Sequence, residues 1–322
     1  MSIVEKLGGV PGKQTIVEAL GGIPGANVIS DVAEAGDPDV AFLKPFIEGK
    51  NFPKVLVMPE CVTKLREYII GAGPGIKKVV ATNVTEVDSY AFSTCIDLEE
   101  LELPELEAIP NYCFTNASKL KNIYAPKVKS IQQYAFEQSS IEVLDFPSVT
   151  YVGKEDADHP YAFDDNVSYS SSKNLINTIK LHGVTSIRTG GLSNFNGLHV
   201  LELPSLTEVP ESALSSNGSI DELSLPEVTR INNSAFYGAF INKIILPKIT
   251  YIGNAFREPG SIKAVYLPNT SYTALPFVGS GAFTARSDDF SIYVPSSLLS
   301  KYKSDYSWQK FVNYIKPIEE AP

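Results

Sequence analysis

Apolar residues recur along this chain in a fixed frame rather than at helical spacing. In Glu222–Phe236, read as ELSLPEVTRINNSAF, the apolar positions are Leu223, Leu225, Val228, Ile231 and Phe236. The same frame holds Leu101, Leu103, Leu106 and Ile109, and again Leu201, Leu203, Leu206 and Val209. A proline follows the second aliphatic at 104, 126, 147, 204, 226, 247 and 268, in steps of 22, 21, 57, 22, 21 and 21. Within the long step, TIKLHGVTSI (178–187) keeps the frame with His182 in the proline slot. An Ala-Phe pair closes most units, at Phe92, Phe136, Phe163, Phe236, Phe256 and Phe283, with Cys113-Phe114 and Ala213-Leu214 as variants.

Side-chain alternation accounts for the frame. Residues i and i+2 of a strand share a face, so Leu223 and Leu225 are expected to point inward. Pro226 then ends the strand, because it has no N–H for a ladder. The later aliphatics and the Phe return to the same interior. One such coil cannot bury its own apolar face, whereas a stack of coils can. A period of 20–29 residues built on L-x-L therefore predicts an α/β repeat solenoid of leucine-rich type, with short strands on one face and roughly ten coils.

The units EELELPELEAIPNYCF, IEVLDFPSVTYVG and NKIILPKITYIGNAF resemble the BspA-like leucine-rich repeat family, and AFSTCIDLEEL puts Cys95 at that family's cysteine position. The resemblance covers residues 54–295 and has departures: an interrupted fourth unit, and Gly191-Leu192 in place of one Ala-Phe. It implies a non-catalytic binding or adhesion protein, displayed on a cell surface or secreted, that meets a protein or a cell-surface glycan. It implies no cofactor and no catalytic residue.

The two ends depart from the period. Residues 1–50 hold two copies of L-G-G-[VI]-P-G, at Leu7 and Leu20, with room for short helices over 14–20 and 26–35. Such helices cannot form a core alone, so this segment is expected either to dock or oligomerise, or to cap the first coil. It weakly resembles short modules of phage structural proteins, which implies an alternative: a virion-associated protein for host attachment. The array is expected over 51–291 with an insertion at 154–176, and a cap over 292–322. In SSLLSKYKSDYSWQKFVNYI the apolar residues Leu298, Leu299, Tyr302, Tyr306, Trp308, Phe311, Val312 and Ile315 predict one amphipathic capping helix.

Charge narrows the partners. The 322 residues carry 27 Lys and Arg against 37 Asp and Glu, a net charge of −10, which argues against a nucleic-acid partner. No apolar run reaches the length of a membrane span, and the start lacks the basic and apolar regions of a signal peptide. Three cysteines and three histidines form no metal-ligand spacing. GGVPGKQT (8–15) is not a phosphate loop, since Leu7 and Gln14 occupy slots that need Gly and Ser or Thr. The insertion gathers Asp156, Asp158, Asp164 and Asp165 without the order of a calcium loop. A solvated loop and a weak cation site both fit. The same carboxylates would suit a glycan-acting enzyme only if they faced one another across a cleft.

The residue between the two inward aliphatics should point outward once per coil. Down the array it reads Val57, Val80, Glu102, Tyr124, Asp145, Lys180, Glu202, Ser224, Ile245, Tyr266 and Tyr293. The last three are apolar or aromatic and should stack in register. Ile245, Tyr266, Tyr293 and Tyr124 are therefore the candidate ligand contacts. The plain alternative is that strand surfaces favour such residues anyway.

Overall fold

The computed structural model of the protein describes residues 54–58, 60, 62–65, 67, 75–132, 134–152 and 176–322. They fall into two compact units. The first takes the described residues up to Val128 together with Ala135–Ile141, and the second is Lys129–Tyr134 with Glu142–Pro322.

In the first unit the strands are β1 (Val55–Val57), β2 (Lys64–Leu65), β3 (Lys78–Val80), β4 (Glu86–Val87), β5 (Glu100–Glu102), β6 (Ala108–Ile109) and β7 (Asn122–Tyr124). Strands β1, β3, β5 and β7 form one parallel sheet, in register Leu56↔Val79↔Leu101↔Ile123. The second strand of each coil has only two residues, and β2 pairs parallel with β4.

The second unit repeats this plan. Its strands are β8 (Ser130–Ile131), β9 (Val143–Asp145), β10 (Tyr151–Val152), β11 (Thr178–Lys180), β12 (Ser186–Ile187), β13 (Val200–Glu202), β14 (Glu208–Val209) and β15 (Ser219–Ser224). They continue as β16 (Arg230–Ile231), β17 (Phe240–Ile245), β18 (Tyr251–Ile252), β19 (Ser261–Tyr266), β20 (Phe277–Val278), β21 (Arg286–Val294) and β22 (Ile315–Pro317). The last odd-numbered strands lengthen to six and nine residues, and β15-β17-β19-β21-β22 is a continuous five-stranded parallel sheet. The ladder closes directly across the insertion, with Leu144 beside Ile179 and Tyr151 beside Ser186. Both ladders are therefore continuous between the described coils on either side of residues 153–175.

The inward positions are as expected. Leu223, Val228, Ile231 and Phe236 are at most 1% exposed, and Leu101, Leu103, Leu106 and Ile109 are equally buried. The closing Phe residues stack coil on coil, Phe92–Phe114 at 5.6 Å and Phe236–Phe256 at 4.8 Å between centroids. Phe114→Ala or Phe236→Ala would each remove a ring from such a stack.

The turn around Ala-Phe has a feature that the pattern did not suggest. The residue before the pair and the residue two after it both lie at positive φ: Tyr90 and Thr94 (61° and 60°), Tyr112 and Asn116 (54° and 60°), Ser212 and Ser216 (56° and 54°). This alternation aims backbone N–H groups along the stack. Phe92 N–H donates to the Cys113 carbonyl at 3.0 Å and Leu214 N–H to the Ala235 carbonyl at 2.9 Å. The turns thus add a third set of hydrogen bonds between coils.

The tail corrects the expectation of a single capping helix. Only Leu299–Ser304 is α-helical (α1), and Tyr306–Tyr314 is a 3-10 helix. Asp305 separates them, its extended backbone ending α1 while its carboxylate accepts the Ser307 N–H at 2.9 Å. Three residues per turn then bring Trp308 and Phe311 inward together, and Trp308 Nε1 donates to the Pro276 carbonyl at 2.8 Å. Tyr306, expected on the apolar side, is 94% exposed. The chain ends its return as β22, parallel to β21 with Ile315 beside Ile292. So the tail makes one more strand rather than a helical lid. Ile315 keeps the first aliphatic of the coil frame, but Pro317 stands in the slot of the second aliphatic, beside Val294, so the frame did not announce this strand. The helices expected within residues 1–50 lie outside the described residues.

Candidate functional site

The outward column of the first strands is where the alternation put it. Val57, Tyr124, Asp145 and Ser224 are exposed, while Val80, Glu102, Lys180, Glu202, Ile245 and Tyr266 are half-buried. Tyr293 is the exception and requires a correction. It is only 6% exposed, because the unanticipated β22 lays Lys316 beside it while Tyr266 covers its other side at 4.8 Å. The accessible part of the predicted stripe is therefore Ile245 and Tyr266, adjacent in register on β17 and β19.

Tyr266 is held on both ring faces. Tyr293 tilts against one, and the Lys243 ammonium sits 4.8 Å from the ring centroid. Lys243 is anchored in turn by Glu222 Oε2 at 2.8 Å. Burial raises the Tyr266 hydroxyl above its ordinary pKa, so it stays a donor. The result is a small apolar centre rimmed by an ion pair on the widest sheet of the second unit.

The flanking columns are charged and paired from coil to coil. In the first unit Lys78 bridges Glu102 at 2.6 Å and Glu100 at 3.1 Å, and these bonds hold its pKa above the usual lysine value. In the second unit His182 Nε2 lies 2.7 Å and Lys180 Nζ 3.2 Å from the Glu202 carboxylate. The hydrogen bond with His182, more than the lysine, lowers the Glu202 pKa. Tyr124 is the most exposed aromatic of the column, at 60%.

A second aromatic row lies on the short strands of the second unit. Arg230 stands 3.8 Å over the Tyr251 ring, and Tyr251 stacks on Phe277 at 5.4 Å. A third row lies in the turns of the first unit, where Tyr90 and Tyr112 stack at 4.8 Å with ring planes within 3°. Neither row was picked out by the alternation argument, because neither occupies a first-strand position. The turn row had a sequence signal all the same: tyrosines recur every 22 residues at 68, 90, 112 and 134, of which Tyr68 lies outside the described residues and Tyr134 falls in the second unit.

Bulky residues at positive φ cost on the order of 1–3 kcal/mol each. An aromatic stack returns about 0.5–1.5 kcal/mol beyond burial. Two tyrosines at positive φ together cost about 2–6 kcal/mol, so the one stack between them offsets only part of the strain. The turn does not need an aromatic, since Gly190, Ser212 and Ser234 take the same place at 68°, 56° and 55° in the second unit.

Cys95 and Cys113 are buried and pack as small core residues; burial pushes the Cys95 thiol up to about 12. Among the described residues no cluster of His, Cys, Asp or Glu is arranged to hold a metal, and no helix is long and apolar enough to cross a membrane. Asp156, Asp158, Asp164 and Asp165 lie outside the described residues, as does Cys61.

Stacked coils with an L-x-L strand, a proline stop and an Ala-Phe turn define a leucine-rich repeat solenoid. The family described as "BspA type Leucine rich repeat region (6 copies)" matches residues 49–158 and 160–300, and the chain belongs to it. No curated protein matches the chain. Among solved structures it is similar to a leucine rich cell surface protein from Faecalibacterium prausnitzii, at 18% identity and TM-score 0.29 over 65% of this chain and 77% of that one. It is also similar to the pneumococcal vaccine antigen PcpA, at 17% identity and TM-score 0.36 over 83% and 78% of the two chains. A leucine-rich repeat protein from Bacteroides ovatus matches at 16% identity and TM-score 0.34, over 74% and 63%. Such loose superpositions carry no functional argument.

Proposed function

We propose that this chain is a non-catalytic adhesion protein of a cell surface, and that the five-stranded sheet of its second unit receives a protein ligand. The observation that carries the reading is the environment of Tyr266. An apolar centre with a polar, ion-paired rim is the layout of a protein interface. A sugar ring needs an open aromatic face to stack on, and both faces of Tyr266 are taken by Lys243 and Tyr293. Its hydroxyl and ring edge, with the neighbouring Ile245, suit a protein surface better. Tyr124 is a separate exposed anchor in the first unit. The alternative of a virion-associated attachment protein depends on residues 1–50, which lie outside the described residues.

The test is adhesion of the labelled full chain to a panel of bacterial and epithelial cells, followed by flow cytometry before and after protease treatment of the cells. Protease-sensitive binding that falls at least tenfold with Tyr266→Ala plus Ile245→Ser supports the reading. Binding that survives the double substitution with the fold intact removes this sheet from consideration.

A further inference from the structure

We propose that the outward face of β20, centred on Phe277, is a second ligand surface of the second unit, and that it takes a neutral polysaccharide. The row of rings on the short strands ends there. Arg230 lies 3.8 Å over one face of Tyr251 and Phe277 covers the other at 5.4 Å, so Tyr251 has no free face. Phe277 is different. β20 is the last strand of the order β14-β16-β18-β20, and among the described residues no ring or cation stacks on the far side of its phenyl group. With one face against Tyr251 the residue is still 51% exposed, so its other face is open to solvent.

The fold does not require a phenyl group at this place. Ser130 in β8 and Ser186 in β12 hold the same outward position of the short strands, and Glu208 and Arg230 hold it in β14 and β16. The interior is filled by the next residue, Val278, which is buried. Phe277 thus exposes apolar surface where a polar side chain would serve. The tail leaves that surface uncovered. Trp308 turns inward and donates to the Pro276 carbonyl at 2.8 Å, while Tyr306, at the start of the same 3-10 helix, is 94% exposed.

The surroundings decide which ligand suits an open ring. The face of an aromatic ring is the negative end of its quadrupole, and it attracts the polarised C–H groups of a sugar ring. Hydroxyls stand nearby in the chain. Phe277 follows Pro268 by nine residues, against four from Pro226 to Arg230 and from Pro247 to Tyr251. The longer loop exposes Thr270, Ser271 and Thr273. Thr229 and Thr250, each just before its short strand, are exposed too; their hydroxyls donate to the Thr207 and Thr229 carbonyls at 3.4 and 2.8 Å, which leaves the oxygens as acceptors. From Ala264 to Ala285 the chain has no Asp, Glu, Lys, Arg or His. Arg230, further along the row, is engaged by Asn232 at 2.9 Å and Glu208 at 3.8 Å. An open ring in an uncharged, hydroxyl-bearing field matches a neutral glycan. Tyr266 is the reverse case, with both faces taken and an ion pair at its rim. Exposed apolar groups also mark protein contacts, so a protein occupant is the outcome the experiment must separate.

The experiment is affinity electrophoresis of the full chain through native gels containing a soluble β-glucan, a xylan or a mannan. Retardation by at least one polymer is expected, with the dissociation constant weakened at least tenfold by Phe277→Ser and unchanged by Tyr266→Ala plus Ile245→Ser. Serine is chosen because the molecule already uses it at this strand position. Phe277→Leu keeps apolar contact with Tyr251 and removes only the flat face; it should weaken binding too, and it serves should the serine variant fail to fold. The proposal is overturned if no polymer retards the chain, or if folded Phe277→Ser or Phe277→Leu binds as the parent does. It is overturned equally if Phe277→Ser abolishes only protease-sensitive cell binding, which would make the occupant a protein. Because Tyr266 and Ile245 are untouched, its failure is distinct from failure of the sheet site.

Discussion

The turn before the Ala-Phe pair holds Tyr112 at φ 54° in the first unit and Ser234 at φ 55° in the second. In both places the backbone points an N–H along the stack, from Phe114 to the Ala135 carbonyl at 2.8 Å and from Phe236 to the Ala255 carbonyl at 3.1 Å. The geometry is shared and the side chain is not. A repeat protein specifies the backbone of each coil through its buried positions and its hydrogen bonds to the next coil. The outward side chains are left to vary, and the change falls within the second unit, where Tyr134 at φ 53° still carries the tyrosine that Ser212 and Ser234 replace. On the sheet faces the outward column reads Val57, Val80, Glu102 and Tyr124 in the first unit and ends in the adjacent pair Ile245 and Tyr266 in the second, with Lys–Glu pairs beside it in both.

If the interiors are equivalent, equal damage should follow from equal changes. Phe114→Ala and Phe236→Ala should each cost about 3–5 kcal/mol, measured by urea unfolding, because each leaves a cavity in the aromatic stack. A several-fold difference between them would show that the two interiors are not built alike. The thiols give a second probe of the first unit alone. With the Cys95 thiol pushed up to about 12 and Cys113 fully buried, native protein at pH 8 should resist alkylation at both sites. Peptide mass spectrometry should find them labelled only after unfolding; rapid native labelling would mean that the first unit opens.

The turns should respond far less than the interior. Tyr112→Ser should cost about 0.5–1.5 kcal/mol, the stacking with Tyr90, because serine keeps the same positive φ and its strain; the reciprocal Ser234→Tyr should change stability by about 1 kcal/mol or less. A loss of about 3 kcal/mol or more in Tyr112→Ser would show that the ring also supports the interior. The surface pairs come last. Lys78→Ala and Lys243→Ala should each cost no more than about 1 kcal/mol, and less at high salt.

The acid dependence follows from Glu202 and Asp97, both held below their ordinary carboxylate values, chiefly by His182 and by Lys119 respectively. A carboxylate whose folded pKa is depressed stabilises fully above its unfolded value and loses that contribution as the pH falls through the folded value. Neutral to mildly acidic solution should therefore leave stability intact, with a gradual loss below the usual carboxylate range. Glu202→Gln and Asp97→Asn should flatten that decline, each in its own unit, in urea unfolding followed across pH.

Buried periodicity was legible in the sequence because interior positions tolerate few residue types. Leu223, Leu225, Val228, Ile231 and Phe236 could be placed from spacing alone, and all five are buried. So could the outward direction of Tyr266, since alternation in a strand is local. Tyr293 could not be placed. Its burial depends on β22, a strand that lies 22 residues further along and is brought back by a tail that turns as a short α-helix and then a 3-10 helix. The sequence by itself determined which residues make each coil and which way they face, through steric alternation, the missing proline N–H and the need to bury apolar area. Only the tertiary structure decided which outward residues stay open to a ligand. That depends on what neighbouring coils, stacked rings and the returning tail cover, and no local pattern encodes it.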